Sequence, residues 1–229
     1  MQIICLDLEG VLIPEIWIEF ARETGIEGLM ATTRDIPDYD ALMKQRLDYL
    51  ERNNLRLHDI QSVISGMEPL PGAKHFLDTL RARYQVMILS DTFYEFAFPF
   101  MRQLAWPTLL CHRLTVDDQG RVIGYVLMHN EPKSNVVRAL KQLNFHVSAA
   151  GDSYNDVTML EEADAGFLFC APENVIEEFG EPTQYLSPDP DSGGGKLIYN
   201  TKKLGIKCVR TFEVDESERI VGFSSKGCF

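Results

Sequence analysis

The sequence predicts an α/β fold with a Rossmann-like parallel sheet. Strands buried on both faces are predicted by short apolar segments at residues 3–6, 85–89, 146–150 and 165–169. Segments of helical period alternate with them, at residues 73–83, 135–143 and 156–163. Strands that alternate with helices in this way are typical of a parallel sheet covered by helices on both faces.

The alternation is interrupted after the first strand. Residues 14–71 contain no convincing strand, and their pattern is helical at 16–24, 39–52 and 58–66. We interpret this region as a helical cap inserted over the edge of the sheet. Residues 1–13 and 72–187 then form the core domain.

Three later features depart from the regular pattern. Residues 113–116 and 121–127 flank an Asp-Asp-Gln-Gly turn, which predicts a β-hairpin. Pro99 lies in an aromatic segment of partly helical spacing, where it predicts a kink or an early helix end. Residues 182–195 are dense in Pro, Gly, Ser and Asp, which is typical of a linker. We assign residues 188–229 to this linker and a C-terminal tail of uncertain structure, either a second hairpin at 206–213 and 219–224 or a mobile segment.

Charge and cysteine content restrict the class of partner and compartment. The 229 residues include 22 Lys and Arg against 34 Asp and Glu, a formal net charge of −12. Such a surface repels phosphate backbones and anionic lipids, so we expect no nucleic acid and no membrane partner. No apolar run approaches the roughly 18 residues of a membrane span, and no basic leader opens the chain. The 5 cysteines lie far apart without a C-x-x-C motif, as reduced thiols do, so we expect a cytoplasmic protein.

Polar side chains follow several of the predicted strands. Asp7 and Glu9 come directly after the first strand, Ser90 follows the second, and Asp152 follows the strand at 146–150. Open α/β sheets bind ligands at the carboxyl ends of their strands, so these groups are expected to meet. Two carboxylates can divide the chemistry, one as nucleophile or metal ligand and the other as general acid and base. Oxygen ligands of this kind suit Mg²⁺, and Lys133 would supply the positive charge that a phosphoryl group needs.

Each of these residues also has a structural interpretation when it is taken alone. An Asp-x-Glu after a strand is more often a surface turn, and Ser90 is more often a helix N-cap. Lys133 alone is more often a solvated side chain, and Asp152 and Asp156 would simply cap the following helix. The ordered combination, with each group at a strand end or a helix start, favours catalysis.

The ordered combination resembles the four motifs of the haloacid dehalogenase (HAD) superfamily of phosphotransferases. The matching segments are residues 7–12, 90–92, Lys133 and 151–156. The helical insertion resembles the cap of the phosphoserine phosphatase branch. Segments 6–12, 14–18, 32–39, 43–47 and 89–96 are similar to a bacterial subgroup that also passes phosphate to homoserine. Most family phosphatases have Asp two residues after the nucleophile, and Glu9 at this place agrees with that subgroup.

The resemblance implies a role for each matching residue. Asp7 would be the nucleophile that forms an aspartyl-phosphate, and Glu9 the acid and base. Mg²⁺ would be held by the Asp7 carboxylate, the Glu9 main-chain carbonyl and Asp152. Asp156 would hold these ligands in place without binding the metal itself. The cap residues Glu15 and Arg46 would face the amino and carboxylate groups of the substrate, which agrees with the bidentate pairing of Arg with carboxylates. The remaining substrate-binding residues would be Ser90, Asp91, Thr92, Lys133 and Asn155.

The implied activity is Mg²⁺-dependent phosphoryl transfer from O-phosphoserine to water and to homoserine. Two alternatives stay open at this point. One is a HAD phosphatase for another small phosphomonoester, and the other is a non-catalytic phospho-ligand sensor. The family also allows a homodimer, although no interface can be identified in the sequence.

Overall fold

The computed structural model describes residues 1–172 except 34, 37 and 129–131, together with Val175 and the backbone of three C-terminal strands. Strand β1 (Gln2–Leu6) precedes three helices, α1 (Ile16–Thr24), α2 (Tyr39–Arg52) and α3 (Leu57–Gly66). They are followed by α4 (Ala73–Arg81), β2 (Gln85–Phe93), α5 (Tyr94–Gln103), β3 (Thr108–Val116) and β4 (Val122–Val126). Next come α6 (Pro132–Gln142), β5 (His146–Gly151), α7 (Val157–Glu162) and β6 (Ala165–Leu168). The last strands are β7 (Gly195–Lys203), β8 (Ile206–Val214) and β9 (Ile220–Lys226).

Strand β1 lies in the middle of a six-stranded sheet of order β4-β3-β2-β1-β5-β6. All neighbours pair in parallel except β4, which is antiparallel to β3. Alternate residues of β1 face two different apolar clusters: Ile3 and Cys5 pack with α6 and α7, and Leu6 packs with α4 and α5. The predicted α/β fold, with strands buried on both faces, is therefore confirmed.

The predicted helical insertion is present and packs closely on the core. Helices α1 and α2 have the predicted bounds, and α3 begins one residue early. The Trp17 ring of α1 meets the Phe96 ring of α5 edge to face, with centroids 5.3 Å apart. Ile60 and Ile64 of α3 belong to the same buried cluster. The insertion thus shares its apolar core with α5 and covers the end of β1.

Two local predictions were wrong. Strand β2 does not end at Ser90 and Asp91 but continues to Phe93, because its pairing with β3 shifts register between Leu89 and Phe93. Such a bulge lets a strand continue while it redirects the side chains inside it. The early helix end predicted at Pro99 is also wrong, because α5 continues through it: the Gln61 amide donates to the carbonyl of Glu95, which Pro99 leaves without its helical partner. The alternative of a kink at Pro99 stays a prediction.

The predicted hairpin at 113–127 is confirmed as β3 and β4, although β3 begins earlier, at Thr108. In the C-terminal region, β7, β8 and β9 form an antiparallel sheet of their own. Strands β8 and β9 correspond to the second predicted hairpin, whereas β7 was not expected from the sequence. The predicted linker lies outside the described residues up to its last residue, Gly195, which begins β7. Among the described residues, no helix is long and apolar enough to cross a membrane.

Candidate active site

Asp7 lies at the carboxyl end of the central strand and is buried. Its main-chain N–H donates to the carbonyl of Ala150 at 2.9 Å, which continues the pairing of β1 with β5. Its carboxylate Oδ1 accepts the N–H of Leu8 at 2.7 Å. These two hydrogen bonds hold the carboxylate at the edge of the sheet where ligands bind in open α/β folds.

Lys133 joins three carboxylates that come from three different parts of the chain. Its Nζ is 3.1 Å from Asp7 Oδ1, 3.2 Å from Asp91 Oδ2 and 2.7 Å from Asp156 Oδ1. The side chain is only 4 % exposed, near the start of α6. Burial acts to lower the pKa of Lys133, but the three carboxylates outweigh it and hold this pKa well above its ordinary value. The lysine is therefore a fixed positive charge at the end of β1.

The same electrostatics act on Asp7 in the opposite sense. Burial raises the pKa of Asp7 well above its ordinary value, and the negative charges of Asp156, Asp91 and Asp152 raise it further. Lys133 alone lowers it. The site thus holds an excess of negative charge that a cation would relieve.

The turn after β5 is organised by Asp156. This residue is fully buried, and its Oδ2 accepts the N–H groups of Asp152 and Ser153 and the Ser153 hydroxyl, at 3.0–3.1 Å. Because Oδ1 is paired with Lys133, both carboxylate oxygens of Asp156 already have partners. Asp156 therefore supports the turn and leaves the Asp152 carboxylate to face the site.

Asp7, Asp152 and Asp156 each place a carboxylate oxygen within 4.8 Å of the others. Burial and the Asp156 charge raise the pKa of Asp152 to about 7, with a smaller contribution from Glu15. Gly10, with a φ of +75°, passes so close that a Cβ there would collide with the Asp152 carboxylate. A compact group of hard oxygen donors of this kind suits a divalent cation.

Glu9 follows Asp7 by two residues but lies in a different environment. Burial raises its pKa to about 8, as does the nearby charge of Glu15, while the Thr92 hydroxyl and Arg46 act to lower it. Its buried Oε1 has no hydrogen-bond partner among the described residues. Glu9 is thus largely protonated at neutral pH, as a general acid must be.

Arg46 presents a buried guanidinium that has no carboxylate partner in the part of the chain that the structure describes. It is 8 % exposed, and none of the ion pairs among the described residues includes it. One NH₂ donates to the carbonyl of Ala31 at 3.0 Å, and the group stacks over the Trp17 ring at 4.7 Å. Its Nε has no hydrogen-bond partner within the described ranges. Burial lowers the pKa of Arg46, although Glu9 and other nearby groups oppose this shift. An unpaired buried cation of this kind is ready to receive an anionic group.

The other predicted site residues lie around this centre. Ser90 and Thr92 are buried in β2, and the Thr92 N–H donates to the Ser90 hydroxyl at 3.2 Å. Glu15 is exposed, near enough to Glu9 and Asp152 to raise their pKa values. Asn155 is exposed on the turn that follows β5, and its contact with substrate stays a prediction. The Glu9 carbonyl as a metal ligand likewise stays a prediction.

Two aromatic residues at this centre were not expected from the sequence. Tyr39 begins α2, and the charges of Asp91 and Arg46 both act on its hydroxyl. The His112 ring, on β3, lies 6.4 Å from the Tyr39 ring and 3.7 Å from the Asp91 carboxylate. Tyr39 falls within a segment that carries the family resemblance, which was a usable signal. His112 is a single histidine in a strand, and the sequence contains no signal that marks it as part of the site.

Comparison with known proteins agrees with this geometry. The family model of the haloacid dehalogenase-like hydrolases matches residues 1–164. The phosphoserine phosphatase ThrH of Pseudomonas aeruginosa is 65 % identical over 179 residues, which cover 78 % of this chain and 87 % of that protein. A phosphoserine phosphatase of Pseudomonas syringae pv. tomato is 64 % identical over 179 residues, covering 78 % of this chain and 76 % of the relative.

Solved structures share the fold at lower identity. A phosphoserine phosphatase in its apo form has a TM-score of 0.65 at 22 % identity, with 79 % of this chain and 91 % of that chain covered. A phospho-aspartyl intermediate analogue of phosphoserine phosphatase has a TM-score of 0.64 at 22 % identity, with the same coverage. The family match spans most of the chain and includes Asp7 after β1, Ser90 within β2 and Lys133 near the start of α6. The chain belongs to the haloacid dehalogenase-like hydrolase family.

Proposed function

We propose that this chain is a Mg²⁺-dependent phosphoserine phosphatase that also transfers phosphate to homoserine. The observation that carries the substrate assignment is Arg46, a buried guanidinium near Glu9 that forms no ion pair with any described carboxylate. Phosphoserine offers a carboxylate for this cation and an ammonium group for the exposed carboxylate of Glu15. The high identity to the Pseudomonas phosphoserine phosphatases supports the same assignment.

The proposed reaction begins with attack of an Asp7 oxygen on phosphorus. The bond from phosphorus to the seryl oxygen breaks, and the leaving oxygen takes the proton of Glu9. Lys133 and the Ser90 hydroxyl neutralise charge on the phosphoryl oxygens during this step. A water molecule then gives its proton to the Glu9 carboxylate and attacks the aspartyl-phosphate, which releases phosphate and restores Asp7.

The metal assignment is supported by the donor set. Asp7 and Asp152 would hold Mg²⁺, with the Glu9 carbonyl as the ligand that the family resemblance implies. When bound, the ion neutralises phosphoryl charge and fixes the orientation of the reacting groups. Asp156 would keep both ligands in place through its bonds to Lys133 and to the turn at Asp152.

The direct test is product analysis with O-phosphoserine and MgCl₂, with and without homoserine. We expect free phosphate in both reactions and phosphohomoserine only when homoserine is present. Free phosphate alone in both would leave a plain phosphoserine phosphatase. The absence of both products would refute the proposal and point to another small phosphomonoester.

Replacing Arg46 by Ala should weaken phosphoserine binding selectively. Loss of a charged hydrogen-bond donor costs about 1.5–3 kcal/mol, so KM for phosphoserine should rise about 10- to 100-fold. Hydrolysis of p-nitrophenyl phosphate, which has no carboxylate, should change little. Arg52→Ala, on the exposed end of the same helix, is the matched control. Equal losses on both substrates would show that Arg46 serves the fold and not the carboxylate.

Replacing Glu9 by Asp should change the ratio of transfer to hydrolysis. The shorter side chain withdraws the base from the oxygen that it activates, and homoserine and water place that oxygen differently. We expect kcat to fall about tenfold or more and the two acceptors to be affected unequally. The ratio is measured by following phosphohomoserine and phosphate together. An unchanged ratio would rule out any effect of side-chain length on acceptor choice.

The stability of the protein should depend on pH and Mg²⁺ together. The pKa of Asp152 is raised to about 7 and that of Glu9 to about 8, so the folded metal-free protein holds protons that the unfolded chain has already lost. By linkage, the stability of the metal-free protein falls as pH rises from the ordinary carboxylate pKa values to the raised values of the folded state. Bound Mg²⁺ requires the deprotonated carboxylates, so the gain in Tm from MgCl₂ should be larger at about pH 8.5 than at about pH 6.

This dependence is measured by thermal unfolding in EDTA and in MgCl₂ across the pH range. Asp152→Asn is the control, since it should remove most of the gain from Mg²⁺. A metal-free Tm that rises from about pH 6 to about pH 8.5 would contradict the pKa directions on which this prediction depends.

A further inference from the structure

His112 lies on β3, outside the residues that the family motifs mark, and is 4 % exposed. Two aromatic rings pack against its imidazole, and a third ring packs against both of those. The rings of Tyr39, from α2, and Phe93, from β2, lie with centroids 6.4 Å and 6.2 Å from the imidazole. Tyr125 of β4 packs against both of them. A titratable ring packed in this way beside the phosphoryl site is a candidate for a function there.

The two ring nitrogens of His112 have different partners. Nδ1 accepts the main-chain N–H of Met128 at 3.1 Å, so the proton of the neutral ring is on Nε2. Nε2 lies 3.7 Å from Asp91 Oδ1, and the second oxygen of Asp91 is 3.2 Å from Lys133 Nζ. The tautomer fixed by Met128 therefore directs a donor at the carboxylate that pairs with the lysine.

One contact of His112 leads to Lys133. Through Nε2 it faces Asp91, whose other oxygen pairs with the ammonium group. Through Nδ1 it is held to the main chain of Met128, which fixes the ring on its other side. Of the three carboxylates around the lysine, Asp7 is the nucleophile and Asp156 is committed to the turn after β5. Asp91 is the one whose position depends on a partner from β3.

We propose that His112 is a positioning residue for Lys133: held at Nδ1 by the Met128 N–H, it orients Asp91 with Nε2, and so fixes the ammonium group where phosphoryl oxygens bind. The inference rests on the proposed phosphoryl chemistry but not on phosphoserine as the substrate. Without His112, the Asp91 carboxylate turns away and Lys133 moves toward Asp7 and Asp156. Its charge then pairs with these two carboxylates and is not available to the incoming phosphoryl group.

Two substitutions separate the two contacts. In His112→Gln, the side-chain amide reaches the place of Nε2 and keeps a donor toward Asp91. In His112→Asn, the side-chain oxygen takes the place of Nδ1 and keeps the bond to Met128, but nothing reaches Asp91. The probe is inorganic phosphate in the presence of MgCl₂, with its Kd measured by calorimetry, and kcat/KM for p-nitrophenyl phosphate is measured in parallel.

We expect the Kd for phosphate to rise about tenfold in His112→Asn and to stay within about twofold of wild type in His112→Gln. Asp91→Asn should reproduce the loss, and the double variant His112→Asn/Asp91→Asn should be no worse than Asp91→Asn alone. Leu114→Ala, a buried residue on the same strand, is the control; it should lower Tm without changing the Kd for phosphate.

Several outcomes would overturn the proposal. A wild-type Kd in His112→Asn, equal losses in the Asn and Gln variants, or additive losses in the double variant would each reduce His112 to a packing role. If the His112 variants fail to fold, a wild-type Kd in Asp91→Asn refutes the inference by itself. A wild-type protein that cleaves p-nitrophenyl phosphate but not phosphoserine would refute the proposed substrate and leave the inference on Lys133 standing.

Discussion

Replacing Asp7 by Asn is expected to abolish phosphoserine hydrolysis and, at the same time, to stabilise the metal-free protein. The amide has the shape of the carboxylate but cannot form the acyl phosphate, so kcat should fall about 10⁴-fold or more, the scale on which removal of a nucleophile acts. The stabilisation follows from the raised pKa of Asp7, because burial and three neighbouring carboxylates disfavour its charge in the folded state. The metal-free Tm at about pH 8 should rise by about 2–4 °C, which corresponds to about 1 kcal/mol.

Asp117→Asn is the matched control for this substitution. Asp117 lies in the turn between β3 and β4, where it accepts hydrogen bonds from Arg121 and Gln119. The bond from the Arg121 main chain is the chief reason that the pKa of Asp117 lies below its ordinary value, so its charge stabilises the fold. Asn at this position should lower Tm slightly and leave kcat unchanged. A fall of Tm in Asp7→Asn, or residual turnover within about tenfold of wild type, would contradict the assignment of Asp7 as a nucleophile whose charge is disfavoured in the folded protein.

The fold could be predicted largely from local signals. The bounds of α1 and α2 follow from apolar spacing alone, and β1 and β5 are short apolar segments that end at acidic residues. The extension of β2 to Phe93 could not be predicted, because it depends on the register that β2 adopts beside β3. Strand β7 of the C-terminal sheet was missed because its start overlaps the Gly-rich run at 193–195, which is typical of a linker.

The site could be predicted where topology alone brings residues together. Asp7, Lys133 and Asp152 follow strands or begin helices at one edge of a parallel sheet, and the structure places them at one centre. The pairing of Asp91 with His112 could not be predicted in this way. It depends on the bulge that redirects Asp91 and on the position of His112 in a neighbouring strand.

The burial of Arg46 illustrates a further limit of the sequence. Its spacing places it on an amphipathic helix, where most arginines are solvated. Only the structure shows the guanidinium stacked on Trp17 without a carboxylate partner among the described residues. The resemblance implied its role, and the unpaired charge is the physical reason that the role is chemically sensible.

Replacing Lys133 by Met is expected to have the second large effect, on activity and on stability together. The apolar side chain fills nearly the same space but removes the charge that three carboxylates share. Removal of one partner from a buried ionic cluster costs about 3–5 kcal/mol, a loss in Tm of about 10 °C. The loss of a preorganised positive charge at the phosphoryl group should lower kcat/KM about 10³-fold.

The pH dependence of this variant separates a lost charge from lost packing. The wild-type lysine has a pKa well above its ordinary value, so it stays charged, and its contribution to stability is constant, throughout the range from about pH 5 to about pH 9. In the variant, Asp7 loses the one group that lowers its pKa, so its proton is retained to higher pH. The stability of the metal-free variant should therefore fall more steeply with rising pH than that of the wild type.

Lys141→Met tests the same change of side chain at a site without this cluster. Lys141 also lies on α6, but it is 30 % exposed, and its Nζ donates to the carbonyl of Glu162 at 2.6 Å with Asp164 3.6 Å away. An ion pair of this partly solvated kind contributes at most about 1 kcal/mol, so the control should keep its activity and show little change in the slope of Tm with pH. A Lys133→Met protein with the same slope as Lys141→Met would mean that the three carboxylates do not depend on the lysine for their charge balance. The electrostatic account of the phosphoryl site would then have to be abandoned, because that account requires one buried cation to hold three acidic groups together until the substrate and the metal arrive.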